Sequence, residues 1–298
     1  MSKVALLTGI SGFIGNGLAK KLLEENWNVH AIIREETDKE VIRDLESKCT
    51  FHVHDGSTED MVRIHLENQF DIVFHLASLY LADHKSSDIS SLLRSNIEFS
   101  TQLLQGMYEG GSRKIINIGS YNQHNETEQF SPFNLYASTK EAFQSILLFY
   151  HLAYDFSCLT LKLFDTYGPG DTRGKLVNLL LNSIEDKSDL KLSPGDQILD
   201  LSHVRDVINH LLNAGIYLNE QEKILCDKYL ISGERLSVKE LVTKLEMITG
   251  KKFLGQFGGR PYREREIMNP IKSKDILPWG DRLEETTLDE GIKEILAQ

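Results

Sequence analysis

The sequence predicts an α/β protein built on a doubly wound parallel sheet, and three observations predict it. Short β-branched and apolar runs alternate with helical patterns through the first half of the chain. The first of these runs turns into a glycine-rich loop that opens a helix. At 298 residues, the chain can bury a sizeable core, as one large domain or two lobes, without disulfide or metal staples.

In order, strand patterns fall at 4–8, 29–33, 51–54, 71–76, 114–118 and 158–163. Between them, residues 15–25, 38–47, 58–67, 86–108 and 135–154 carry apolar side chains at helical spacing. Right-handed crossovers then give a doubly wound sheet with its ligand at the carboxyl ends of the strands. After Phe164 the rhythm breaks into DTYGPGDTRGK (165–175), where a second lobe is expected to begin. Ser237 with Glu240 and Thr287 with Glu290 have the capping-box spacing and mark two helix starts in that lobe.

Composition excludes several function classes. The 33 lysines and arginines against 44 acidic residues leave a net charge of −11, which opposes binding to nucleic acid or to an anionic membrane. Cys49, Cys158 and Cys226 are far apart in the sequence and form no CxxC pair, so they read as reduced thiols, with neither a disulfide framework nor a metal site expected. The N-terminal segment suits a buried strand better than a secretory signal, and no apolar run approaches the roughly 20 residues of a membrane span. A cytoplasmic, soluble protein is the expectation.

The run at 4–8 leads into Gly9, Ser11, Gly12, Phe13, Ile14 and Gly15, a GxxGxxG loop between strand and helix. Glycine there permits a tight turn and close backbone approach to a pyrophosphate, whose charge the helix N-terminus stabilises. The pattern predicts a dinucleotide cradle, the alternative being glycines that serve tight packing alone. The second strand, NVHAII, ends in Arg34, and a guanidinium there suits a 2′-phosphate. NADP(H) is therefore expected. Glu35 and Glu36 follow directly and could turn the preference to NAD(H), and a strand-end arginine can also be a plain surface charge.

Tyr136 and Lys140 stand four apart in YASTK at a helix start, on one helical face. An ammonium near a phenol favours the phenolate, a useful proton donor and acceptor pair. The spacing alone is common; its place after the fifth strand of a cofactor-binding sheet singles it out. That strand, KIINIGS, ends at Ser120, whose hydroxyl could hold a substrate oxygen or merely cap a turn.

These motifs continue in one order: TGISGFIG (8–15), HLAS (75–78), Asn96, INIGS (116–120), YASTK (136–140), FDTYGPGD (164–171), DLSHVRDV (200–207) and RPY (260–262). Over nearly its whole length the chain resembles the extended short-chain dehydrogenase/reductase family, the NAD-dependent nucleotide-sugar epimerases, dehydratases and reductases. The resemblance implies a Rossmann domain at 1–164, with 196–218 packing back onto it, and a smaller C-terminal α/β substrate-binding lobe from 165–195 and 219–298. It implies a catalytic triad of Ser120, Tyr136 and Lys140, with Lys140 also binding the nicotinamide ribose. Asp55, Gly56, Leu76, Ala77, Ser78, Ile118, Leu163, Phe164 and Thr166 would line the cofactor, and Asn96 would support the site. Leu79, Tyr121, Asn122, Asp165, Arg173, Lys175, Leu176, Arg260 and Arg263 would meet the nucleotide sugar, with Arg265 competing for its diphosphate. Asp165 departs from the asparagine common in relatives, and a carboxylate there would repel a pyrophosphate unless it turns away.

Dehydratases of the family carry an acidic pair after the active hydroxyl residue; here Tyr121 and Asn122 follow Ser120. The reading is therefore NADPH-dependent reduction of the C4 keto group of a nucleotide-activated 4-keto-6-deoxy or 3,6-dideoxy hexose. The nearest resemblance is to bacterial 4-ketoreductases such as the CDP-abequose and CDP-paratose synthases and the dTDP-4-keto-6-deoxyhexose reductases, enzymes of surface polysaccharide (O-antigen) assembly. A 4-epimerase with tightly bound NAD is the alternative, and a non-catalytic NAD(P)-sensing regulator a more distant one. The base, whether CDP, dTDP, UDP or GDP, stays open. In the family, counterparts of helices 86–108 and 135–154 often pair as a four-helix bundle, which implies a homodimer.

Overall fold

The computed structural model describes residues 2–272, 276–280 and 285–297. Its strands are β1 (Val4–Thr8), β2 (Asn28–Ile33), β3 (Thr50–Val53), β4 (Ile72–His75), β5 (Lys114–Ser120), β6 (Ser157–Leu163), β7 (Asp165–Tyr167), β8 (Ile198–His203), β9 (Cys226–Ile231) and β10 (Glu234–Ser237). Its helices are α1 (Phe13–Glu24), α2 (Thr58–Glu67), α3 (Ile89–Leu93), α4 (Phe99–Gly110), α5 (Leu135–Tyr154), α6 (Leu176–Asp186), α7 (Val204–Glu220), α8 (Val238–Thr249) and α9 (Leu288–Leu296).

Seven strands form one parallel sheet in the order β3-β2-β1-β4-β5-β6-β9. The order reverses between β1 and β4, the switch point of a doubly wound Rossmann sheet, where a crevice opens at the carboxyl ends. β1 needs apolar residues on both faces because helices cover both. Accordingly Leu7 packs with Phe74, Leu161 and Leu211 on the α1 and α7 side, while Leu6 packs with Val73, Phe143 and Leu147 on the other. A third core, built on Leu180, Leu201, Leu241 and Leu288, holds the C-terminal lobe.

Several elements depart from the sequence reading. The single helix expected at 86–108 is a 3₁₀ turn, the short α3, a π turn over 94–98, and α4. The π turn carries Asn96, whose side-chain bonds, described below, accompany the break. The segment expected as a helix at 38–47 is a 3₁₀ helix over Lys39–Leu45, capped by Asp38. Domain boundaries also shift. β9, expected in the C-terminal lobe, is the seventh strand of the main sheet, paired with β6. β8, expected to return to the main domain with α7, pairs instead with β7 and β10 in a separate three-stranded sheet. α7 itself packs on the main sheet through Val207, Leu211 and Leu218. Among the described residues, no helix is long and apolar enough to cross a membrane.

Candidate active site

The first turn sets the site's floor. Gly9 has φ +79°, and a Cβ there would lie 2.7 Å from the Ala77 nitrogen, so the turns after β1 and β4 touch through bare backbone. A Cβ on Gly15 would overlap the Gly9 carbonyl oxygen. Thr8 stitches the two turns together: its carbonyl accepts from Leu76 N–H at 3.2 Å and its hydroxyl oxygen from Ala77 N–H at 3.1 Å. The same hydroxyl lies 2.8 Å from His75 Nδ1, and the other ring nitrogen lies 2.9 Å from Ser100 Oγ. Complete burial, with Lys140 nearby, takes His75 down to about 3, so it is a neutral link in this chain.

α1 begins at this turn with Gly12 as its cap. No side chain caps it and no acid stands in its first turn, which leaves backbone N–H donors and the positive helix end open to an anion. Ser11 and Gly12 are exposed, and Phe13 and Ile14 half-buried.

α5 presents the second group. Asn134 starts it by accepting from Ala137 N–H at 2.9 Å, which sets Tyr136 and Lys140 on the buried face at 8% and 4% exposure. Burial pushes the Tyr136 phenol up to about 12, against the Ser78 hydroxyl and assisted by Tyr80. Burial alone brings the Lys140 ammonium down to about 8. Among the described residues no hydrogen bond or ion pair holds that ammonium. Tyr80 meets the Tyr136 ring edge-on at 4.9 Å.

Asn96 clasps the loop above this face. Its amide oxygen accepts from Leu79 N–H at 2.7 Å and from the Ser78 hydroxyl at 3.2 Å. Its amide nitrogen donates to the Leu79 carbonyl and to Thr139 Oγ1, each at 3.0 Å. Ser120, at the end of β5, caps the 3₁₀ turn Tyr121–Gln123: its Oγ accepts from Asn122 N–H at 3.3 Å, and Gln123 Oε1 accepts from Ser120 N–H at 2.8 Å. The turn-capping role is thus real. It uses an acceptor position and leaves the hydroxyl hydrogen available to donate.

The third group closes the far side. Tyr121 stacks on Phe164 at 4.8 Å and donates to Asp165 Oδ2 at 3.5 Å. Lys175 donates to Asp165 Oδ1 at 3.4 Å and lies 4.1 Å from the centre of the Tyr80 ring. Asp165 is therefore turned toward a cation and a phenol, which offsets the repulsion expected of a carboxylate here. Leu176 follows as the first, half-buried residue of α6, and Asn122 is buried, its carbonyl accepting from Phe133 N–H at 2.8 Å. Ile118 and Leu163 belong to the core beneath the carboxyl ends of β5 and β6.

Arg173 has partners within the protein: Nε and Nη2 donate to Asp171 at 2.7 and 2.9 Å, and Nη2 also donates to the Thr166 carbonyl at 2.9 Å. Its guanidinium covers the Phe13 ring at 4.6 Å, so it braces the glycine loop. Other expected residues lie at the margin. Arg34 is 75% exposed, with Glu36 at 3.6 Å. Asp55 accepts from Ser57 N–H at 2.7 Å, and the Gly56 carbonyl from Gln102 at 2.9 Å. Arg260 is exposed and makes no side-chain bond among the described residues. Arg263 meets Asp83 at 3.4 Å, and Arg265 holds Pro132 and Ser131. Sequence reasoning missed Thr8, Tyr80, Gln123 and Thr139 as parts of the site. Thr8 and Thr139 lie within the quoted motifs TGISGFIG and YASTK, and Gln123 has the capping-box spacing from Ser120.

Two features fit a dinucleotide: the uncapped start of α1, and a buried ammonium that has no partner among the described residues, four positions from a phenol on the same helix. The arrangement can bind an anion at one end and move a proton at the other. The model of the NAD dependent epimerase/dehydratase family matches residues 5–220. CDP-abequose synthase of Yersinia pseudotuberculosis is 28% identical over 290 residues, covering 94% of this chain and 96% of that one. The CDP-abequose synthase of Salmonella typhimurium is 26% identical over 99% of this chain and 98% of its own. Among solved structures, the Bacillus cereus UDP-glucuronic acid 4-epimerase with UDP-glucuronic acid and NAD superposes with TM-score 0.85 at 23% identity, covering 99% and 98% of the two chains. The Thermotoga maritima UDP-glucose 4-epimerase with UDP-glucose gives 0.84 at 23%, covering 99% and 97%. Fold, site and family model agree: this chain belongs to the NAD dependent epimerase/dehydratase family.

Proposed function

We propose that the protein reduces the C4 ketone of a nucleotide-linked 4-keto-6-deoxy or 3,6-dideoxy hexose with NADPH, forming a sugar donor for surface polysaccharide. The observation that carries this reading is Tyr136 and Lys140 buried four residues apart on α5, with no hydrogen bond or ion pair to the ammonium among the described residues. Such a phenol stands ready as an acid, which reduction of a ketone requires. Full-length similarity to CDP-abequose synthases and the non-acidic Tyr121 and Asn122 after Ser120 support the same direction.

The α1 start and Lys140 would hold a nicotinamide cofactor, which would supply the hydride. Tyr136 donates its proton to the C4 oxygen as negative charge develops there, and the Ser120 hydroxyl hydrogen bonds the same oxygen. The Lys140 ammonium favours the phenolate that Tyr136 becomes. Arg34 pairs with the 2′-phosphate, exchanging its exposed contact with Glu36 for a charge-assisted fork. Arg260 and Lys175 meet the sugar-nucleotide diphosphate, while Arg173 serves the loop. A second copy of the chain covers the exposed apolar residues Leu148, Phe149 and Leu152 of α5.

Tyr136→Phe tests the chemistry. Turnover should fall by about 10²-fold or more with NADPH binding nearly unchanged; near-normal turnover would refute the acid role.

A further inference from the structure

Away from the site, the fold brings together three side chains that the sequence holds far apart. Cys158 in β6 and Cys226 in β9 are register partners on adjacent parallel strands, with sulfurs 2.8 Å apart. His151, near the end of α5, joins them: one ligand atom from each of the three lies within 4.8 Å of the others. All three cysteines are free thiols, as the sequence leads one to expect, but the sheet makes neighbours of two that stand 68 residues apart.

The donors suit a soft metal. His151 Nδ1 lies 2.7 Å from the Phe156 carbonyl oxygen. As an N–H donor to that carbonyl it fixes the ring and leaves the lone pair on the other nitrogen, as a backbone partner does for a metal-bound histidine. Two thiols and an imidazole select zinc over the hard oxygen-seeking cations. Cys158 is buried, while Cys226 and His151 are half-buried, which gives an ion a way in. The other clustered group, His54, Asp55 and Asp60, offers less, because Asp60 already accepts from Arg63, His54 and a backbone N–H.

We propose that Cys158, Cys226 and His151 bind one Zn²⁺ ion that clamps the edge strand β9 to β6 and to the end of α5. Zn–S bonds of about 2.3 Å at a tetrahedral angle set the sulfurs ~3.8 Å apart. The two thiols therefore separate by ~1 Å on loading, and water completes the shell. The site lies at the amino ends of the strands, opposite Ser120 and Tyr136, so it is separate from the proposed reduction.

The test uses the full chain, reduced and metal-free, titrated with Co²⁺ and then Zn²⁺. A sulfur-to-cobalt charge-transfer band should saturate at one equivalent and disappear as zinc displaces cobalt. Cys226→Ser and Cys158→Ser should each lose the band, with zinc affinity falling by more than about 100-fold, and His151→Gln should weaken zinc by about tenfold or more. Cys49→Ser should leave the band intact. Should Cys158→Ser fail to fold, the half-buried Cys226→Ser carries the test. A missing band in the wild-type protein, a band retained in Cys226→Ser, or one lost in Cys49→Ser overturns the site.

Discussion

Lys175 donates to the Asp165 carboxylate at 3.4 Å while its ammonium lies 4.1 Å from the centre of the Tyr80 ring, and Tyr80 in turn meets Tyr136 edge-on. One lysine thus ties the strand-end carboxylate to the ring that packs on the proposed proton donor. Lys175→Met should raise KM for the nucleotide sugar by about tenfold, since it unpairs Asp165 as well as removing a cation. Asp165→Asn should lower KM a few-fold. The double variant should recover part of the loss, with a coupling of roughly 0.5–1 kcal/mol for a partly exposed pair. Strictly additive KM changes would show that the pair does not act as a unit.

Lys140 sets a pH limit. Its ammonium titrates at about 8 against an ordinary 10.5, so kcat/KM for reduction should be level from neutral pH to about 8 and fall above it as the charge is lost. A rise through that range would mark Tyr136 as a base instead. The same shift has a stability consequence. The unfolded chain holds this proton more tightly, so burying the charge costs stability in full below about pH 8, and the cost is relieved as pH rises toward 10.5. Lys140→Met should therefore stabilise the cofactor-free protein at pH 7, on the order of 3 kcal/mol, with the gain shrinking by pH 10. Urea unfolding at the two pH values checks it.

Asn96 makes four hydrogen bonds from a π turn. Asn96→Leu should cost about 3 kcal/mol, because the Leu79 backbone groups and the Thr139 hydroxyl lose their partner. It should also lower kcat about tenfold by freeing the Ser78–Leu79 loop above Tyr136. Circular dichroism with denaturant, alongside turnover, separates the two effects.

The apolar stripe on α5 predicts self-association. Leu152, 73% exposed, should be covered in a dimer, and Leu152→Lys should convert a dimeric mass by light scattering to a monomeric one with its fold retained. A wild-type monomer at micromolar concentration would contradict the bundle.

What could be read from the chain depended on whether its determinants were local. β1, α2 and α5 begin and end where the sequence reading set them, since Ser57 and Asn134 supply caps at their own helix starts. The glycine loop, Tyr136 and Lys140 were legible for the same reason, each being a short motif in strand–turn–helix context. The break at 94–98 was not, because apolar periodicity runs straight across it while Asn96 bonds to residues 17 and 43 positions away. The pairing of Arg173 with Asp171 was not legible either, because Asp171 looks in sequence like one more loop acid. Strand order is non-local altogether, which hid both the place of β9 and the meeting of Cys158 with Cys226.

Reduction and epimerisation are separated by following oxidation of NADPH and of NADH against a panel of CDP-, dTDP-, UDP- and GDP-linked 4-keto-6-deoxyhexoses, with NMR of the product. A reductase should give stoichiometric NADPH oxidation with one of these sugars, weaker use of NADH, and a single C4 alcohol configuration. Interconversion of C4 epimers of a nucleotide hexose with tightly held NAD and no net coenzyme consumption would contradict the reductase reading.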